Sequence, residues 1–180
     1  MGLRFAIADP PYLGRANRWY GDGRGIQGGR GRADSHPDAA LWDTVAAHHD
    51  LVRTLRRDYD GYAIACPPDS LAVYLAVAPE LRVMVWHRRN APPSGARVGF
   101  AWEAVLVAIP ADRRGRKIGI GRSDVLDATA PRIGFAGAKP EAWTRWVLDV
   151  MGVEPEDAVV DLFAGSGAVS DAIAQGVLPL

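Results

Sequence analysis

The tetrapeptide Asp9-Pro10-Pro11-Tyr12 groups residues that suit the chemistry of an amino group. The Asp9 carboxylate and the Pro10 carbonyl are both hydrogen-bond acceptors, and an amino group has two hydrogens to donate. Because the prolines fix φ and lack an N–H, they hold these acceptors in a stiff segment, and Tyr12 adds a flat ring. The segment predicts a slot for an aromatic amine, such as the exocyclic amine of adenine. The alternative is a Pro-Pro turn with a surface tyrosine.

A second candidate binding segment is the glycine turn Gly165-Ser166-Gly167 near the other end of the chain. It follows the apolar run 158–162 and precedes a helical pattern over 168–174. In nucleotide-binding α/β folds such a turn lets the backbone approach a ligand closely. Gly-x-Gly also makes ordinary tight turns, so this pattern alone leaves both interpretations open.

Apolar runs ending at these segments predict the strands that position them. The run 3–8 stops at Asp9, which is typical of a buried strand ending at the rim of a sheet. Further strands are predicted over 61–66, 81–86, 101–109 and 158–162. Helices are predicted from residue 36 to 55, with Leu41, Val45, His48, Leu51, Val52 and Leu55 on one buried face, and over 70–78 and 141–150. This alternation favours an α/β sheet in which strands 81–86 and 101–109 pair antiparallel at one edge.

Composition excludes several classes of protein. The 180 residues with 48% hydrophobic content predict one globular domain over 1–180. The balance of 21 basic against 21 acidic residues argues against a generic polyanion binder. Cys66 is the single cysteine, which excludes an internal disulfide, fits a reducing cytoplasm and is expected to be a buried thiol. The sequence shows neither a signal peptide nor an apolar run near ~18 residues, so neither secretion nor membrane spanning is expected. His48 and His49 lack ligand-spaced partners, so no metal site is expected.

Taken together, Asp-Pro-Pro-Tyr at 9–12 and Asp-Leu-Phe-Ala-Gly-Ser-Gly at 161–167 resemble the catalytic and S-adenosylmethionine-binding motifs of amino-methylating DNA methyltransferases. The catalytic motif comes first, as in the permuted β class. Trp86, Asn90 and Glu103 resemble the late sheet of that class. Lys139-Pro140 resembles the segment that lines the methionine side of the cofactor. The resemblance implies a Rossmann-like methyltransferase fold and a compact phage or bacterial DNA adenine-N6 methyltransferase that uses S-adenosylmethionine.

The same resemblance assigns roles to residues. The catalytic positions are Asp9, Pro10, Pro11 and Tyr12, with Tyr12 stacking on a base flipped out of the helix. The cofactor-binding positions are Asp9, Lys139, Pro140, Asp161, Phe163, Gly165, Ser166 and Gly167. Asp161 either binds the amino group of the cofactor or caps the turn.

The resemblance also has one departure. In the family two more strands follow the helix after the glycine turn, and the first of these strands ends in an acidic residue that holds the ribose of the cofactor. Here thirteen residues follow Gly167, so about five strands are expected instead of seven. Three alternatives follow: the remaining walls hold the cofactor; a second copy or a partner chain completes the pocket; or the chain is a catalytically silent nucleic-acid-binding module.

Two basic segments are candidates for contacts with DNA. Residues 13–35 form a predicted flexible Gly/Arg-rich loop whose excess positive charge suits phosphates, although a plain surface linker is the alternative. Its candidate contacts are Arg15, Arg18, Arg24, Arg30 and Arg32, with Trp19 and Tyr20 either stacking on bases or anchoring the loop. Residues 111–130 form a predicted short basic loop in place of a target-recognition domain, either phosphate-contacting or merely solvated. Its candidates are Arg113, Arg114, Arg116 and Lys117.

Overall fold

A computed structural model describes residues 2–21, 37–91, 97–115, 122–132, 137–165 and 167–174. The strands are β1 (Arg4–Ala8), β2 (Gly61–Cys66), β3 (Arg82–Arg88), β4 (Trp102–Ala108), β5 (Val125–Ala128) and β6 (Ala158–Asp161). The helices are α1 (Ala16–Tyr20), α2 (Val45–Asp58), α3 (Leu71–Leu75), α4 (Glu141–Met151) and α5 (Ala168–Ala174), with short 3₁₀ helices at Ala39–Asp43, Pro68–Ser70 and Ala111–Arg113. The strands form one sheet in the order β5-β3-β4-β2-β1-β6.

The first strand lies inside the sheet, parallel to a neighbour on each side. Phe5 is opposite Gly61 of β2 and Val159 of β6. Residues 5–8 are completely buried, as expected of a continuous apolar run covered on both faces. Ile7 pairs with Asp161, so β1 and β6 end at the same edge of the sheet.

Strand β4 runs opposite to the other five strands of the described sheet. It pairs antiparallel with β3, as expected, but also antiparallel with β2. The expected position at one edge was wrong, because β4 lies in the interior between β2 and β3. Burial of residues 103–107 on both faces explains the apolar run that predicted the strand.

The edge beside β3 is formed by β5, which the sequence did not predict. The described residues therefore form six strands instead of the expected five or so, and part of the expected basic loop 111–130 belongs to the sheet. The strand has four residues, and Val125 at its start is 51% exposed. A short, half-exposed edge strand produces no apolar run in the sequence.

Helices cover both faces of the sheet. Phe5 and Ile7 pack with α4 and α5, whereas Ala6 and Ala8 pack with α2 and α3. This alternation follows from successive strand residues pointing to opposite faces. Cys66 lies in the α2 layer as the expected buried thiol, and burial raises its pKa to about 12.

Two helical segments differ from expectation. Residues 16–20 of the expected flexible loop form α1, and the amide N–H groups of Ala16 and Asn17 donate to Asp43 at 2.8 and 2.9 Å. The helix predicted from residue 36 is interrupted at Thr44, which accepts a hydrogen bond from Ala47 N and begins α2. Leu41 is consequently 57% exposed, so the buried stripe starts only at His48. In the described part of the chain, no helix has the length and apolar character to cross a membrane.

Candidate active site at the carboxyl ends of the strands

Asp9 and Glu103 come to the same edge of the sheet although they lie on strands of opposite direction. Asp9 directly follows the last residue of β1. Glu103 is the second residue of β4, and the reversed direction of that strand brings its beginning beside Trp86, near the end of β3. Two acidic side chains therefore lie at the carboxyl ends of the parallel strands, where open α/β sheets bind ligands.

Lys139 lies between these two carboxylates. Its Nζ is 2.7 Å from Asp9 Oδ2 and 3.2 Å from Glu103 Oε2, and it donates to the Gly137 carbonyl at 3.1 Å. The residue is 3% exposed. The rings of Tyr12, Trp86 and Trp143 surround the ammonium, with centroids 5.8 to 5.9 Å from Nζ. The site thus contains a buried cation inside an aromatic enclosure.

The Glu103 carboxylate is fully occupied. Oε2 accepts a hydrogen bond from the Tyr12 hydroxyl at 2.9 Å as well as the contact from Lys139. Oε1 lies 3.2 Å from Nη1 of Arg88. Glu103 is 4% exposed, so these partners replace water as its source of stabilisation. The hydrogen bond also fixes the Tyr12 ring at the site.

Asp9 retains a free acceptor. Its Oδ2 is bound to Lys139, whereas Oδ1 is buried and has no hydrogen-bond partner in the described part of the chain. Among the described residues none donates to the Pro10 carbonyl either. These are the two acceptors that the sequence predicted for an amine slot. A buried carboxylate oxygen without a partner is costly and is typical of a binding site.

The charges of the site perturb one another. Desolvation raises the pKa of Asp9 despite the attraction of Lys139, and the negative charge of Glu103 acts in the same direction as desolvation. Desolvation opposes the charged form of Lys139, but Asp9 and Glu103 outweigh it and raise its pKa above the ordinary value. Desolvation and the charge of Glu103 hold the pKa of Tyr12 well above its ordinary value, so the phenol stays protonated.

The glycine turn after β6 has the backbone conformation that lets a ligand approach the main chain closely. Gly165 and Gly167 have φ of 43° and 79°, in the left-handed region that favours glycine. Asp161 accepts hydrogen bonds from Phe163 N at 3.1 Å and from the Ser170 hydroxyl at 2.9 Å. These two hydrogen bonds are those of a cap on the turn; the other role considered for Asp161, a contact with the amino group of the cofactor, stays a prediction. Ser166 lies outside the described residues.

The predicted DNA-contacting residues in and beside α1 differ in their contacts and burial. Arg15 pairs with Asp69, with Nη2 2.5 Å from Oδ2, and its guanidinium lies 5.8 Å from the Phe100 ring centroid. Arg18 is exposed, whereas Trp19 and Tyr20 are half-buried. Desolvation and the charge of Asp9 raise the pKa of Tyr20. Arg24, Arg30 and Arg32 lie outside the described residues.

Arg113 and Arg114 lie at the opposite end of the sheet. They follow the end of β4, about 20 Å from its beginning for a seven-residue strand. Arg113 is 14% exposed and forms ion pairs with Glu154 and Asp157, the latter at 3.2 Å. Arg114 donates to the Ile109 carbonyl at 2.9 Å. The structure does not bring these two arginines to Asp9, and Arg116 and Lys117 lie outside the described residues.

Sequence reasoning missed the roles of Glu103 and Arg88 in the site. It did not anticipate the contact between Lys139 and Asp9, and its assignment of Lys139 to the cofactor stays a prediction. One signal was available, because Glu103 interrupts an otherwise apolar strand. A buried carboxylate needs a cationic partner, although the sequence alone does not identify which of the basic residues provides it.

Two solved structures have the fold described above. M1.HpyAVI in complex with S-adenosylmethionine matches with a TM-score of 0.61 and 14% identity, covering 99% of this chain and 81% of that chain. The TTHA0409 protein of Thermus thermophilus, a candidate DNA modification methylase complexed with S-adenosyl-L-methionine, matches with a TM-score of 0.58 and 15% identity, covering 99% and 78%. No family model and no curated protein matches the sequence. The predicted fold class, a Rossmann-like methyltransferase fold, is confirmed.

Proposed function

We propose that the chain transfers a methyl group from S-adenosylmethionine to the exocyclic N6 amine of an adenine in DNA. The observation that carries the proposal is a pair of acceptors on neighbouring residues: among the described residues, none donates to the buried Asp9 Oδ1 or to the Pro10 carbonyl. Two adjacent acceptors match the two hydrogens of an amine and would repel a carbonyl oxygen. The two similar structures were solved with S-adenosylmethionine, and one of those proteins is a candidate DNA modification methylase.

The residues present fit the methionine end of this cofactor. Gly165 and Gly167 have no side chain to obstruct a ligand at the turn after β6. Phe163, two residues before Gly165, is half-buried and packs its ring against that of Trp42, with the ring centroids 5.0 Å apart. The other candidates for contacts with the cofactor are Asp9, Lys139, Pro140, Asp161 and Ser166. When bound, S-adenosylmethionine supplies an electrophilic methyl group.

The residues of the chain act on the amine by position and charge. The lone pair of an aromatic amine is delocalised into the ring, which makes the nitrogen a weak nucleophile. Hydrogen bonds to Asp9 Oδ1 and the Pro10 carbonyl draw the nitrogen towards tetrahedral geometry and localise that pair. After the transfer the nitrogen must lose one proton. Asp9 is placed to accept it, because in this arrangement its Oδ1 already accepts a hydrogen bond from the amine, and desolvation raises the pKa of its carboxyl.

The proposal is tested with purified protein, S-adenosylmethionine and adenine-containing duplex and single-stranded oligonucleotides, by mass spectrometry of N6-methyldeoxyadenosine. Asp9→Ala is expected to lower the rate by ~10²-fold or more, the usual effect of removing one well-placed polar group. Asp50→Ala is the matched control, because the Asp50 side chain is 70% exposed and lies on α2. A folded Asp9→Ala protein with most of the parent rate would refute the assignment of the amine slot.

One observation favours a second candidate, a subunit that acts only with a partner chain. Strand β6 has a paired neighbour only on its β1 side in the described sheet, and Val160 is 39% exposed. An open strand at the cofactor turn is where another chain would complete a pocket. Methyl transfer that rises with protein concentration more steeply than linearly would favour this alternative.

A further inference from the structure

The ammonium group of Lys139 has an acceptor for each of its three hydrogens. Its Nζ donates to Asp9 Oδ2 at 2.7 Å, to the Gly137 carbonyl at 3.1 Å and to the Tyr12 hydroxyl at 3.4 Å, and it forms an ion pair with Glu103 Oε2 at 3.2 Å. A lysine ammonium has three donors and no acceptor, so this set of partners is complete only for the charged form. Gly137, with φ of 84°, brings its carbonyl beside the side chain.

The four charged groups at the centre of the site form a neutral cluster. Asp9 and Glu103 contribute two negative charges, and Lys139 and Arg88 contribute two positive charges. Arg88 contacts Glu103, whereas Lys139 is the cation in contact with Asp9 among the described residues. With Lys139 3% exposed and Glu103 4% exposed, water screens these charges poorly. Removal of Lys139 would leave two carboxylates with one arginine, and such a pair retains a proton.

We propose that Lys139 is a positioning residue that keeps Asp9 ionised and leaves a single oxygen, Oδ1, to accept from the ligand. Its contact with Oδ2 removes one of the two oxygens from use, so an amine meets one defined acceptor on Asp9 and not two interchangeable ones. The ligand class, an aromatic amine, rests on the proposed function; the control of the carboxyl group does not. This task is separate from the cofactor contact that the resemblance assigned to Lys139.

The chemistry of a lysine suits this task better than that of an arginine. The chain has two lysines, Lys117 and Lys139, among its 21 basic residues. An ammonium directs its three donors in different directions and so serves two carboxylates and a carbonyl at once. A guanidinium is a planar fork that matches one carboxylate. Lys139→Arg should therefore restore the charge but only part of the geometry.

The first experiment measures the ionisation of Asp9 without any ligand. Protein labelled with ¹³Cγ aspartate is titrated from pH 5 to 9 by NMR, and the Asp9 signal is identified by its loss in Asp9→Asn. In Lys139→Met the acid dissociation constant of Asp9 should fall at least tenfold relative to the parent, and Lys139→Arg should reverse most of that change. Arg57→Met, at an exposed arginine, is the control. Identical Asp9 titrations in parent and Lys139→Met would overturn the proposal.

A double variant covers the case in which Lys139→Met does not fold. Lys139→Met combined with Glu103→Gln removes one charge of each sign and keeps the cluster neutral. Its Asp9 should still titrate at higher pH than in the parent, because the contact with Oδ2 is gone. An unchanged titration in this variant would overturn the proposal equally.

A second measurement separates this inference from the proposed function. Adenosine binding is followed by NMR between pH 6 and 9, with adenosine as the probe. The parent should bind with little dependence on pH, whereas Lys139→Met should bind more strongly as the pH rises and Asp9 ionises. A parent that neither binds adenosine nor methylates DNA would refute the proposed function, while the ligand-free titration would still decide the role of Lys139.

Discussion

Replacement of Asp157 by alanine is expected to destabilise the protein strongly at a position far from the candidate active site. The Asp157 side chain is fully buried. It accepts hydrogen bonds from the backbone N–H of Leu3 at 2.7 Å and of Glu154 at 2.8 Å, and it forms an ion pair with Arg113 at 3.2 Å. One carboxylate therefore joins the beginning of β1 to the turn that leads into β6.

The expected loss of stability is about 4 kcal/mol. Each of the two backbone N–H groups loses a charged acceptor, which costs about 1.5 kcal/mol per hydrogen bond. Arg113 keeps Glu154 but loses its other partner, which adds about 1 kcal/mol. For a domain of this size 1 kcal/mol shifts the Tm by about 2–4 °C, so Tm should fall by about 10 °C.

Urea denaturation followed by tryptophan fluorescence gives the free energy of unfolding directly. Asp50→Ala is again the matched control, because its exposed carboxylate pairs with the equally exposed Arg53 and should change stability by less than about 0.5 kcal/mol. If Asp157→Ala cost under about 1 kcal/mol, or no more than this control, the carboxylate would not join β1 to β6 as described.

Three further predictions concern the ligands and the pH. Gly165→Ala should weaken the binding of S-adenosylmethionine, measured by calorimetry, more than Gly152→Ala does. Both glycines have positive φ, but Gly152 ends α4 away from the glycine turn and so controls for backbone strain. Equal effects would mean that Gly165 only forms a turn. Arg18→Ala should make the slope of log DNA affinity against log salt shallower by ~0.9 for duplex DNA or ~0.7 for single strands. Arg113→Ala should leave this slope unchanged, because Arg113 is already ion-paired. Fluorescence anisotropy at several salt concentrations measures both slopes, and equal slopes for the two variants would contradict the prediction. Burial lowers the pKa of His48, so His48 binds a proton more readily in the unfolded chain than in the folded protein. The stability that neutral His48 contributes should therefore be present above about pH 6.5 and lost as the pH falls. Urea midpoints against pH should show this loss in the parent and not in His48→Phe.

The inner strands could be predicted from the sequence because a strand that is buried on both faces consists of consecutive apolar residues. Residues 5–8 and 61–66 are apolar runs, and both lie in inner strands: β1 is parallel to both of its neighbours, whereas β2 is parallel to β1 and antiparallel to β4. The sequence did not predict the place of β4, since an inner antiparallel strand and an inner parallel one have the same apolar composition. It missed β5, which is short and half-exposed, so its pattern of apolar residues is too weak to mark a strand.

The two acceptors of the proposed amine slot could be named from the sequence because they are adjacent in the chain. Asp9 and Pro10 are neighbours, and proline restricts the backbone between them. The cluster around Lys139 was not predictable, because its members come from distant segments and meet only through the reversed direction of β4. Likewise, the basic character of Arg113 suggested phosphate contacts, but the sequence gives no sign of the acidic partners that occupy it.

The inner position of β1 has a consequence for synthesis on the ribosome. One of the two neighbours of β1 is β6, and the Leu3–Asp157 contact spans 154 positions. The edge of β1 that pairs with β6 must therefore stay unpaired until β6 has been synthesised, which is the situation that slows folding and favours aggregation. Nascent chains that end before β6 should rely on chaperones, and Asp9 should gain its partner Lys139 only long after its own synthesis.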